Sequence, residues 1–170
     1  MKRMIVFFVL SLVFFSCGGV EKPESREVKV SSQEKILKLI ESKQYSQAEK
    51  ALIQEAKNNP EHLETLSLLG KVYFLQKNYK KSLESYSKVL KLGQPKASTY
   101  FHIGENFQEL KNYFSAIENY KKAVVLNPML SEAYLKIGDI YLEWNKFEIA
   151  SGWYDKAMVN DRKSASTYFH

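Results

Sequence analysis

Three glycines, Gly70, Gly104 and Gly138, stand 34 residues apart, and that spacing constrains the fold more than any other feature of the chain. The same frame surrounds each of them. Residues 97–130 show it best, with Tyr100, Ile103, Gly104, Phe107, Ala116, Tyr120, Ala123 and Pro128. One period later, Tyr134, Ile137, Gly138, Tyr141, Ala150, Tyr154 and Ala157 fill these slots. One period earlier, Leu66, Leu69, Gly70, Tyr73, Ser82, Tyr86 and Val89 do so. A unit recurring at fixed length is one supersecondary element that buries its face on its neighbours, rather than a domain around a single core. Within each unit two apolar runs have helical spacing. Lys43-Gln44-Tyr45, Lys77-Asn78-Tyr79, Lys111-Asn112-Tyr113 and Asn145-Lys146-Phe147 separate the runs at one register. The glycine lies inside the first run, where it costs about 0.5–1 kcal/mol relative to Ala. Its recurrence implies a close approach, served from the second run by Ala48, Ala116 and Ala150, with Ser82 in that slot of the second unit. The aromatic pairs at these slots are expected to fill the space between units.

These slots resemble the tetratricopeptide repeat (TPR), with its W-x2-L-G-x2-Y, A-x3-F and P pattern. Leu66, Tyr100 and Tyr134 stand where the family has Trp. The resemblance implies an all-α, right-handed α-α superhelix of antiparallel helix pairs over residues 31–170, with repeats at 29–62, 63–96, 97–130 and 131–164. The first repeat has Ile36 in place of the glycine but keeps Tyr45, Ala48 and Pro60, and Ser31-x-x-Glu34 gives it a capping box. The fourth carries Ser151 and Gly152 in its second run and Arg162 in place of the proline. The hexapeptide at 165–170 then copies that at 97–102 residue for residue, so a fifth repeat is expected to begin there, with a ninth helix barely started. That arrangement would leave an unsealed end with Trp153, Ala157 and Met158 exposed.

The first thirty residues have another character. Lys2 and Arg3 precede an apolar run at 4–15, interrupted only by Ser11, and Ser16, Cys17, Gly18 and Gly19 follow. Positive, apolar, then small is the layout of a secretory signal, and twelve residues fall short of the ~20 that span a bilayer. The placement of Cys17 resembles a bacterial lipoprotein signal, with Phe14 where that family usually has Leu. The resemblance implies a signal peptide at 1–16, removed before Cys17, and a lipid on Cys17. Gly18 rather than Asp after that cysteine favours the outer membrane by the same analogy. Residues 17–30, with Pro23 and alternating charges, read as a flexible tether. The expected location is the bacterial cell envelope, facing the periplasm or the exterior.

A net charge of +6 falls to about +4 without Lys2 and Arg3, too little and too dispersed for nucleic-acid binding. With one cysteine, no intrachain disulfide can form. His62, His102 and His170 make no zinc spacing, and His102 and His170 share one repeat slot. No glycine-rich phosphate loop and no nucleophile–base constellation appear, so no catalytic residue, metal or cofactor is expected.

Binding is the remaining class. In TPR proteins the inner, concave wall is built mainly by the first helix of each repeat. On this chain the matching slots give Glu64, Ser67, Leu68, Lys71, Phe74 and Leu75 in the second repeat. In the third they give Ser98, Phe101, His102, Glu105, Gln108 and Glu109, and in the fourth Glu132, Leu135, Lys136, Asp139, Leu142 and Glu143. Six acids face two lysines, whereas Lys80, Lys81, Lys88, Lys91, Lys121 and Lys122 fall on the second helices. The groove candidates are Leu68, Lys71, Phe101, His102, Glu105, Glu109, Leu135, Lys136, Asp139 and Glu143. They point to a protein or peptide partner with basic and apolar residues. The Lys and Asn pairs with which some TPR domains clamp a C-terminal carboxylate are absent: Ser67 and Lys71, or Phe101 and Glu105, stand there. The expected function is a membrane-tethered interaction scaffold, a lipoprotein assisting assembly of an envelope complex. The alternatives are a structural subunit that self-associates through its C-terminal edge and an accessory regulator of an envelope enzyme or transporter.

Overall fold

The capping box and the apolar spacing act where the sequence places them. Ser31 Oγ accepts from the Glu34 amide at 3.1 Å and opens α1, Ser32–Glu41. The computed structural model describes residues 31–93 and 96–167, and within them eight helices follow in order. After α1 come α2 (Tyr45–Asn58), α3 (Leu63–Leu75), α4 (Tyr79–Lys91), α5 (Ala97–Glu109), α6 (Tyr113–Leu126), α7 (Ser131–Glu143) and α8 (Phe147–Thr167). The odd helices are the first of each repeat and the even ones the second. Each helix packs on the next, and α3 also touches α5. The result is an all-α repeat solenoid with no strand among the described residues. The leader, Cys17, the tether and the last slots at 168–170 lie outside the described residues. No described helix is long and apolar enough to cross a membrane.

The recurring tripeptides end one helix and begin the next. Their first residues, Lys43, Lys77, Lys111 and Asn145, have φ of 58°, 59°, 61° and 56°. This left-handed conformation lets the following amide reach back into the helix, as Asn78 N does to Tyr73 O at 2.8 Å and Asn112 N to Phe107 O at 2.8 Å. The preceding amide adds a second bond, Lys77 N to Phe74 O at 2.8 Å and Lys111 N to Gln108 O at 2.9 Å, which completes a Schellman cap at each of these helix ends. The second residue caps the next helix, Asn78 Oδ1 accepting from Lys81 N and Asn112 Oδ1 from Ser115 N, each at 3.3 Å. Gln44, in the same slot, makes no side-chain cap bond.

The periodic glycines make room for a ring. A Cβ at Gly70, Gly104 or Gly138 would lie 2.8, 2.6 or 2.5 Å from the ring of Tyr86, Tyr120 or Tyr154, sixteen residues on in the same repeat. These tyrosines therefore fill the space inside their own repeat first. Tyr86 also reaches the next, stacking on His102 with centroids 5.6 Å apart. Ser82 helps to close the second repeat by donating to Gly70 O at 2.8 Å. In the first repeat the glycine and tyrosine are replaced by a buried aliphatic pair, Ile36 and Leu52.

Two apolar clusters hold the solenoid. One joins Ile36, Ala48 and Leu52 to Leu69, Val72 and Tyr73. The other joins Phe101, Ala116, Ile117, Tyr120 and Ala123 to Ala133, Ile137 and Ile140. Tyr86 and Val89 of α4 are buried but belong to neither. The buried residues between the clusters include the hydroxyl-bearing Thr65, Ser85 and Thr99.

The far end departs from expectation in two respects. The copied hexapeptide does not open a new helix within the described residues, because α8 runs unbroken to Thr167. With Arg162 in the proline slot, nothing in the sequence stops it. Nor are Trp153, Ala157 and Met158 exposed together. Ala157 is buried, Trp153 is half-buried against Tyr134 with Lys156 Nζ 4.0 Å from its ring centroid, and only Met158 faces solvent.

Candidate peptide-binding groove

The slots singled out along α3, α5 and α7 differ sharply in how accessible they are. Lys71, Glu109, Leu135, Asp139 and Glu143 are exposed, and Leu68, His102, Glu105 and Lys136 are partly so. Phe101 is the exception. At 5% exposure it is a core residue, with its ring tilted against Tyr120 at 5.5 Å and edge-on to His102 at 5.6 Å. A large apolar ring gains more by turning inward than by lining a polar wall. Phe101 is therefore removed from the groove.

Each of the four acids among the groove candidates is held by a donor. His102 Nδ1 lies 2.7 Å from Glu105 Oε2. Tyr79 Oη donates to Glu109 Oε2 at 3.1 Å, and one period on Tyr113 Oη donates to Glu143 Oε1 at 2.6 Å. Both bonds run from the first residue of a second helix to the last residue of the following repeat's first helix. Tyr154 Oη donates to Asp139 Oδ1 at 2.9 Å. A carboxylate has about four acceptor positions, so one such bond orients it and leaves capacity for a ligand. Burial first, and then the bonded carboxylate, raise the Tyr79 and Tyr154 hydroxyls above their ordinary range, keeping both neutral donors. Of the tyrosines that fix the acids, Tyr154 was legible only as a core aromatic, and Tyr79 and Tyr113 only as the ends of the turn tripeptides. For Tyr79 and Tyr113 the 34-residue recurrence, with an acid thirty residues on, was the available signal.

The strip is indented between α3 and α5. A cleft of about 530 Å³ is lined by Glu61, His62, Glu64, Ser67, Lys96 and Ser98, among others. A second of about 140 Å³ adjoins it through Glu64, Ser67, Ser98 and Thr99, and adds Leu68, Lys71, Tyr86 and His102. Of the ten groove candidates, Leu68, Lys71 and His102 meet here, whereas the acids of α5 and α7 lie along the strip outside both clefts. All six lysines assigned to the second helices are exposed.

Family models described as tetratricopeptide repeat match residues 36–97 and 131–163, and one described as TPR repeat matches 104–144. The chain is a tetratricopeptide repeat protein. Its fold is similar to that of MamA 41-end from Desulfovibrio magneticus RS-1, at 22% identity and a TM-score of 0.70, over 78% of this chain and 74% of that one. Another MamA crystal structure is similar at 24% identity and a TM-score of 0.68, over 77% and 72%. YrrB, described as a TPR protein with an unusual peptide-binding site, is similar at 17% identity and a TM-score of 0.63, over 75% and 66%. No curated protein matches the sequence. At these identities the likeness shows the repeat fold alone.

Proposed function

We propose that this repeat protein is a non-catalytic protein-interaction scaffold that binds peptide segments along α3, α5 and α7. The observation that carries the reading is the row of oriented carboxylates, Glu105, Glu109, Asp139 and Glu143, each bonded to a neighbouring side chain yet still at least partly accessible. Acceptors ordered before a ligand arrives reduce the entropy lost on binding. The partner segment carries basic and apolar side chains, the apolar ones suited to Leu135 and Leu68. YrrB's description as a peptide-binding TPR protein supports the class, not the specificity. Reversing charge at Glu105 and Asp139 should weaken binding of a lysine- and leucine-rich peptide about tenfold and flatten its salt dependence in fluorescence anisotropy. Unchanged affinity and salt slope would place binding elsewhere.

The scaffold works in the bacterial envelope, tethered by lipid on Cys17, as the leader pattern supports. Metabolic labelling with a fatty-acid analogue tests this: Cys17→Ala should abolish incorporation. A second reading, self-association through the α7–α8 edge, is favoured by exposed Leu142, Phe147, Ile149, Met158 and Val159. Membrane crosslinking separates the two, since it captures either an envelope complex or a second copy of the chain.

A further inference from the structure

The smaller cleft between α3 and α5 holds a polar atom that its own repeat leaves without a partner. Tyr120 donates to Gln108, and Tyr154 to Asp139, each reaching the first helix of its own repeat. The slots equivalent to Gln108 and Asp139 in the second repeat are Phe74 and Lys71, and neither offers an acceptor. Tyr86 is 1% exposed, its Oη is buried, and no hydrogen-bond partner reaches it. A buried hydroxyl left unpaired is costly, and natural structures seldom keep one without use.

The surroundings of Tyr86 select the missing partner. Lys71 is exposed, with no carboxylate within 4 Å among the described residues. The ring of His102 stacks on that of Tyr86, and its Nδ1 lies 2.7 Å from Glu105 Oε2, an acid outside the lining of the cleft. Ser98 and Thr99 add hydroxyls to the wall, and Glu64 alone adds an opposing charge to the lining. A cleft of about 140 Å³ has room for a side-chain terminus.

We propose that this cleft is a subsite for a carboxylate of the bound partner, held between the Tyr86 hydroxyl and the Lys71 ammonium. The Tyr86 O–H donates to one carboxylate oxygen, and Lys71 supplies charge from the rim. The assignment rests on the groove reading above and deepens it. The partner presents an acid at the α3–α5 junction and basic residues further along, toward Asp139 and Glu143. The carboxylate comes from an Asp or Glu side chain or from a chain end.

Two measurements on the full-length protein test it. The first uses no long peptide and so does not depend on the rest of the groove. N-acetylated, C-terminally amidated glutamate is titrated against the glutamine equivalent, following the NMR signals of Lys71 and His102. Saturable shifts with glutamate alone are expected, and equal or absent shifts overturn the subsite while leaving the groove reading standing. The second compares lysine- and leucine-rich peptides by anisotropy, with one Glu or Gln near an end and that end free or amidated. The acid should bind about tenfold tighter than the amide, and Tyr86→Phe or Lys71→Met should reduce the ratio to below about twofold. An amidated Glu peptide that keeps the preference identifies a side-chain source, and a preference confined to free C-termini identifies a chain end. Tyr86→Phe without ligand should melt no lower than wild type, since it removes an unpartnered hydroxyl, so lost preference cannot be ascribed to misfolding. A ratio unchanged in both variants overturns the proposal.

Discussion

At the scale of single residues the glycines make a sharp contrast. A methyl at Gly104 would lie 2.6 Å from Tyr120 Cε1, and this tyrosine is fully buried and tied to Gln108, so it has nowhere to turn. Gly104→Ala should therefore destabilise by about 1–3 kcal/mol, the usual cost of overpacking. Gly152 lies within α8 with nothing near its absent Cβ, so Gly152→Ala should stabilise by about 0.5–1 kcal/mol. Urea unfolding of the two variants reads the opposite signs. The recurrence of one glycine and the isolation of the other were visible in the sequence, and a close approach at the first was inferable. That the approaching group is a tyrosine ring of the same repeat was not. Periodicity reports that slots are coupled without saying which slot touches which. The same gap misplaced Phe101, whose slot belongs to the wall in the family but whose ring is drawn into the core here.

At the scale of elements the turns were legible and their chemistry was not. The four aligned tripeptides located every break inside a repeat, and the described helices begin and end beside them. Lysine gives no hint of a left-handed backbone, for which Gly or Asn is the usual residue. Yet Lys43, Lys77 and Lys111 adopt it, and only Asn145 is of the expected kind. Lys77 is exposed at φ 59°, so Lys77→Gly should relieve the left-handed strain and stabilise by about 0.5–1 kcal/mol net of added chain entropy. Its melting temperature should rise, and a fall would mean that the lysine side chain contributes more than its backbone costs. The long α8 shows the converse limit. A copied hexapeptide suggested a new beginning, but no proline or glycine lies between Trp153 and Thr167 to interrupt the helix already running.

At the scale of the whole molecule, the all-α repeat architecture followed from the 34-residue period, because helix pairs of fixed length leave few other ways to bury the apolar slots. The strength of each junction was harder to read, since it depends on which side chains meet across it. In a linear stack each repeat is supported only by its neighbours, so the weakest junction sets where the molecule divides. Here that junction lies between α4 and α5, where neither apolar cluster reaches across and buried Ser and Thr side chains take part beside the half-buried His102. Amide hydrogen exchange should therefore show two protection levels, one shared by α2, α3 and α4, since Tyr86 and Ser82 tie α4 to Gly70 of α3, and the other by α5, α6 and α7. A single uniform level would show the stack to be fully cooperative. A ligand spanning α3 and α5 acts as a splint across this seam: each half opens less often while the other is held, and the free energy of recognition becomes mechanical continuity along the solenoid.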